Sequence, residues 1–196
     1  MWFRSGTAVL AAVVIFCAGC TLTALDPNRP PEWVGRGSGA FEISDQPVFL
    51  GVGSAAGGPV DPAAADDQAR AAVGKAVSAF ISVMTGEYMA AVYNENPAGP
   101  PSVQSQKTEL ALQLTLRAQF PGGEIVERWT APDGGRTYSL CRLDLSVLKE
   151  AVAADGGLEA GLRDFFQARA EGVHEKTAGF LKENPVVVRE ITESDL

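Results

Sequence analysis

Residues 47–58 read PVFLGVGSAAGG, and the fold turns on how Gly51, Gly53 and Ala56 in that stretch are used. Gly-x-Gly-x-x-Ala after a short apolar run is one spelling of a dinucleotide-binding turn, in which glycines let the backbone approach a pyrophosphate held at a helix N-terminus. That chemistry needs the helix to start inside the motif and an acidic residue to end a second parallel strand about 20 residues further on. Here Gly57, Gly58 and Pro59 intervene, and the first helix signal is Asp61-Pro62, an N-cap residue ahead of a first-turn proline. The positions where the acidic residue should stand fall in the middle of that helix. The glycines are therefore expected to let a strand turn tightly and a helix pack close, and not to hold a nucleotide.

Outward from this stretch, Val48 to Val52 reads as a strand, and Pro62 to Val92 as a long helix. Ala69, Ala72, Val73, Ala76, Val77, Phe80, Ile81 and Met84 recur at three and four, while Asp67, Arg70, Lys75, Ser78 and Ser82 face away. Residues 94–102, NENPAGPPS, are a loop. Over 103–120 Leu110, Leu112, Leu114 and Leu116 alternate as a strand would, but Gln104, Lys107, Glu109, Gln113 and Gln119 are helix formers, and the segment is read as helix. GEIVERWT (123–130) and RTYSLCRLD (136–144) flank Pro132-Asp133-Gly134-Gly135, which predicts a hairpin. Asp144 is expected to cap a short helix over 145–154, stopped by Asp155-Gly156-Gly157. A last helix over about 158–183 carries Leu162, Phe165, Phe166, Arg169, Val173 and Phe180 on one stripe. The expected fold is α+β: a small antiparallel sheet (a strand near 47–53 plus the hairpin 123–143) packed against the long helix 62–92 and further helices. The single domain is placed at 47–184, with a C-terminal tail at 185–196.

The N-terminus carries a different signal. MWFRSGTAVLAAVVIFCAGC (1–20) has one cation, Arg4, then an apolar run from Ala8 to Ala18 that is too short to span a bilayer core, which takes about 20 residues. A basic start, a short apolar run and small residues before a cut describe an export signal. Cys17-Ala18-Gly19-Cys20 resembles the bacterial lipobox, with Cys17 standing where that pattern usually has Leu. The resemblance implies removal of 1–19 as a lipoprotein signal peptide and lipidation, palmitate included, of Cys20. Thr21, in place of an Asp, implies sorting to the outer membrane, with the domain in the periplasm or at the cell surface. Residues 20–46, with Pro27, Pro30, Pro31 and a Gly/Ser-rich run, read as a flexible tether in which Trp33 and Val34 are offered to the domain surface or to a partner. Cys141 is then left alone, so no disulfide is expected.

Charge and composition exclude several classes. With 16 basic and 24 acidic residues and a net charge of −8, the chain lacks the basic block that nucleic acid requires. The same charge disfavours anionic headgroups, so membrane attachment must come from the lipid. His174 is the only histidine, and HEKTA lacks the second His of a zinc-protease helix. His174 is read as a solvent-facing helix residue, Cys141 as a small apolar strand residue, and Glu124, Glu127, Asp133 and Asp144 as capping and solubilising groups. No Ser stands in Gly-x-Ser-x-Gly. No catalytic residue, cofactor or metal ligand is expected, and no enzyme.

The ordered motifs point further. Pro31-Glu32-Trp33-Val34, then FLGVGSA (49–55) opening an Ala-rich helix, then EIVERWTAPDGGRTYSLCRLD (124–144), resemble the Lpp-twenty lipoprotein family. Trp33, Gly51, Gly53, Ala69, Trp129, Tyr138, Leu140, Leu143 and Asp144 occupy matching places over most of 20–155, and the C-terminal helix has no counterpart. The resemblance implies a small α+β domain and a bacterial outer-membrane lipoprotein, in a family that includes flagellar-assembly lipoproteins and is not known for enzymes. The expected function is a structural or assembly component of the cell envelope, as a homo-oligomer or with an envelope protein. The alternative is a monomeric module binding peptide, lipid or glycan.

Overall fold

The computed structural model describes residues 28–43, 45–56, 62–94, 100–119 and 122–183. In chain order these form α1 (Glu32–Arg36), β1 (Gly39–Ile43), β2 (Gln46–Ala56), α2 (Ala63–Tyr93), α3 (Val103–Gln119), β3 (Glu124–Thr130), β4 (Arg136–Asp144), α4 (Leu145–Ala154) and α5 (Ala160–Glu183). The fold is α+β, with one four-stranded antiparallel sheet in the order β1-β2-β4-β3. α2 lies across β2 and β4, α5 packs beside α2 along β1, and α3 and α4 complete the helical side.

Gly51 and Gly53 do not turn the chain. β2 runs straight through them for 11 residues, because its pairing with β4 is unbroken from Val48↔Asp144 to Ala56↔Arg136. What they do is bring α2 down onto the strand. A Cβ on Gly51 would come within 2.8 Å of the Val73 amide nitrogen and Cγ2, and one on Gly53 within 2.8 Å of Gln68 Cβ. Each would also overlap a main-chain carbonyl oxygen of α2, that of Ala69 or Ala65. Strand backbone and helix backbone are thus in contact, and the buried alanines Ala65, Ala69, Ala72 and Ala76 keep the approach open along the helix.

The described part of the supposed tether is folded, which corrects the boundary at 47. β1 pairs with β2 from Gly39↔Leu50 to Ile43↔Gln46. Within GAFEI, Ala40 joins the main core while Phe41 and Ile43 turn to the other face of the sheet. There they close over Val48, Leu50 and Leu140 together with Trp33 of α1. Five alternating residues flanked by Gly and Ser leave too short a pattern to read as a strand in isolation. Residues 1–19, Cys20, Asp61 and the tail 185–196 lie outside the described residues.

The main core is built on edge-to-face aromatics. Phe80 of α2 meets Phe49 at 5.5 Å and Phe166 of α5 at 5.7 Å between ring centroids, an arrangement that adds to simple area burial. Met84, Leu112, Leu148 and Val152 fill in around them. α3 resolves its ambiguous alternation by helical period: Leu112 and Leu116, four apart, enter the core, while Leu110 and Leu114 stand 54% and 56% exposed. On α5 the buried stripe is Leu162, Phe166, Ala170, Val173, His174 and Thr177. Arg169, expected on that stripe, instead forms an ion pair with Glu87, and Phe180 is 53% exposed. Asp144 stands at the N-cap position of α4 without bonding its helix amides, since its carboxylate accepts from Arg142 Nε at 2.7 Å. Asp133 accepts from the Gly135 amide at 3.0 Å and so tightens the hairpin turn.

Candidate functional site

Among the described residues, Asp66, His174, Cys141 and Asp155 are each bonded or packed within the fold. Asp66 sits in the first turn of α2 and faces the sheet. Its Oδ1 accepts from Arg128 Nε at 2.9 Å and from Ser139 Oγ at 2.6 Å, and its Oδ2 from Arg128 Nη2 at 2.6 Å. The two-pronged guanidinium beside it holds the Asp66 carboxyl below the usual carboxylate range. A carboxylate saturated by three donors and ionised at neutral pH is no free base and no proton donor. The sequence carried a signal for this residue: Asp66 stands three and seven residues before Ala69 and Val73, on the buried stripe, where an acid must find a cation or pair of donors.

His174 is not solvent-facing. It is 1% exposed, with Nε2 3.0 Å from the Val48 carbonyl oxygen and its ring edge-on to Phe49 at 4.9 Å. As the Nε2–H tautomer it donates to that carbonyl, and burial pushes its pKa down, keeping it neutral. The reason is periodicity: position 174 falls with Ala170 and Thr177 on the face of α5 that meets the sheet. Cys141 is a free thiol buried in β4 against Gly123, and burial pushes its pKa up to about 11. Asp155 accepts from Thr115 Oγ1 at 2.5 Å and from the Gly157 amide at 2.7 Å, tying α3 to the turn before α5. Among the described residues, no three of His, Cys, Asp or Glu are grouped to hold a metal ion.

Trp33, one of the two residues offered to a partner, packs on the chain's own sheet beside Val48, Leu50 and Leu140. Its indole N–H is enclosed with no acceptor among the described residues. Val34 is half-buried next to it. Cys20 lies outside the described residues. Two other surfaces stand out, neither of them marked by a sequence motif. The first is a ridge on α3, Val103, Leu110 and Leu114, with Val92 and Tyr93 exposed at the end of α2. The second is a trough of about 890 Å³ at the corner where β1 begins, between the sheet, α2 and the last turns of α5. β2 outruns β1 at this corner, and its free amides are met by side chains: Val52 N–H by Ser38 Oγ at 2.8 Å and Ser54 N–H by Gln68 Oε1 at 3.2 Å. Sequence reading could not find the trough, because its walls come from five elements whose meeting is a tertiary fact.

No protein-family model, no curated protein and no solved structure matches this chain.

Proposed function

We propose that this chain is an outer-membrane lipoprotein, held by lipid on Cys20, whose folded domain is a non-enzymatic assembly component of the bacterial cell envelope. Membership of the Lpp-twenty lipoprotein family, and an assembly such as the flagellar apparatus as its setting, are part of the same proposal. The anchor half of the reading is supported by the sequence of 1–20, and Asn28 stands eight residues beyond Cys20, so the lipid would keep the domain within about 30 Å of the membrane.

The observation that carries the assembly half is the α3 ridge. Leu110 and Leu114 lie one turn apart and more than half exposed, and Lys107 and Arg117 flank them on the same exposed side. An apolar ridge rimmed by cations, on a chain of net charge −8, is complementary to the acidic surface of a second copy. Light scattering on residues 21–196, which retain every described element, tests this over a concentration series. A discrete multimer is expected, and Leu110→Glu with Leu114→Glu is expected to reduce it to monomer. A monomer at every concentration sinks self-assembly. The anchor has its own check: in a bacterial host fed a palmitate analogue, the full chain should be labelled and sediment with the outer membrane, and Cys20→Ser should lose both. An unlabelled wild type would end the lipoprotein reading.

A further inference from the structure

We propose that the trough beside β1 is a binding site for a single-chain anionic amphiphile, a long-chain fatty acid being the simplest case. It goes beyond the assembly reading and does not depend on it.

The volume, about 890 Å³, lies within the range of small-molecule sites. Its apolar lining combines short side chains with two long ones, Phe41 and Leu181. Ala72 and Ala76 of α2 and Ala178 and Gly179 of α5 line it from the helical side, and Phe41 and Val52, whose side chains lie on the other face of the sheet, close it at the sheet edge. The four small residues on the two helices do not fill the space between them, so an apolar furrow is left without an occupant from the described residues.

The mouth is basic in a chain that is acidic overall. Arg36, Lys75 and Lys182 line it against one acid, Glu42, in a chain whose acidic residues outnumber its basic ones by 24 to 16. Lys149 and Lys176 each hold a carboxylate, Glu171 and Glu87 respectively. Lys75 and Lys182 hold none among the described residues, and each extends from the residue next to, or one turn from, the apolar floor. Arg36 is already engaged, bonded to Glu32 and lying 5.6 Å over the Phe41 ring, so it stiffens the rim more than it offers a free charge. An acyl chain in the furrow with its carboxylate between the two free lysines matches both features. A peptide strand fits less well, because α5 packs against β1 beside the trough.

The test uses residues 21–196 and dansyl-undecanoate, read by fluorescence and displaced by laurate or by dodecanol of the same chain length. Saturable binding of one probe per chain is expected, with laurate displacing it better than dodecanol. Lys75→Gln with Lys182→Gln should weaken laurate about tenfold and leave dodecanol unchanged. Gly179→Phe should abolish both, and it is a mild way to fill the furrow, since a Cβ there meets no atom within 4 Å. A thermal melt confirms that each variant is folded. Absence of saturable binding by the wild type overturns the proposal. So does binding that survives Gly179→Phe, or equal affinity for laurate and dodecanol. Binding seen only after removal of residues 184–196 would assign the trough to the chain's own tail and overturn it as well.

Discussion

Gly53→Ala is expected to destabilise the fold by about 3 kcal/mol or more, while Gly74→Ala, in the helix that lies on it, stabilises by about 0.5–1 kcal/mol. Overpacking a core costs about 1–3 kcal/mol when side chains can step aside. At Gly53 the atoms met are the Ala65 carbonyl oxygen and the Ala69 amide, which are α2 main chain, with Gln68 Cβ at 2.8 Å. Relief requires the helix to lift from the strand, and lifting loosens the Phe49–Phe80 contact and the alanine seam with it. Gly51→Ala meets Val73 and the Ala69 carbonyl in the same way and should behave alike. Gly74 is the control within the same helix. A Cβ there meets nothing within 4 Å, so the substitution only removes the conformational entropy that glycine loses on entering a helix. Urea midpoints at constant m-value give the comparison. Equal midpoints for Gly53→Ala and wild type would mean that α2 does not ride on the backbone of β2.

The glycines illustrate what the sequence makes legible and what it hides. Close packing of a helix on a strand was readable from two small residues two apart in an apolar run facing an Ala-rich helical stripe. That the strand would pass through them was not, because a local pattern carries no record of the β4 pairing that holds residues 51–56 extended. α2 was legible because it repeats one period over many residues, α3 because its helix formers outweigh an alternating leucine pattern, and the hairpin because Pro132-Asp133-Gly134-Gly135 is turn chemistry. β1 has five residues to show a period of two, and its partner contributes the reason it forms. His174 reads as polar until its position is counted along α5, where it falls on the buried face and its N–H finds the Val48 carbonyl. Trp33 reads as a residue offered to the domain surface or to a partner, and its target, the face around Leu50 and Leu140, exists only once the sheet is assembled.

Asp66→Ala is expected to cost about 3 kcal/mol at neutral pH, and the loss should shrink in acid. The residue joins three elements, α2 through its own backbone, β3 through Arg128 and β4 through Ser139. Its removal loses charge-assisted hydrogen bonds, each worth about 1.5–3 kcal/mol though not additively, and leaves the fully buried Ser139 hydroxyl without its acceptor. Arg128 limits the damage, because its side chain is 48% exposed and can turn to water. The pH dependence follows from the sign of the shift. Arg128 holds the folded-state pKa of Asp66 below the ordinary value of 3.8, so the unfolded chain binds the proton first. The stability that the pair supplies is complete well above 3.8 and is lost as pH falls through the depressed folded value. His174, also depressed by burial, makes both proteins less stable once pH drops below 6.5, but it is common to wild type and variant and cancels in their difference. Denaturant unfolding of the two proteins at a series of pH values isolates the Asp66 contribution. A gap that closes on acidification identifies the ion pair as its source. A gap of constant size would assign it to packing at the first turn of α2 instead, and Asp66→Asn, which keeps the shape and loses the charge, would then be nearly silent.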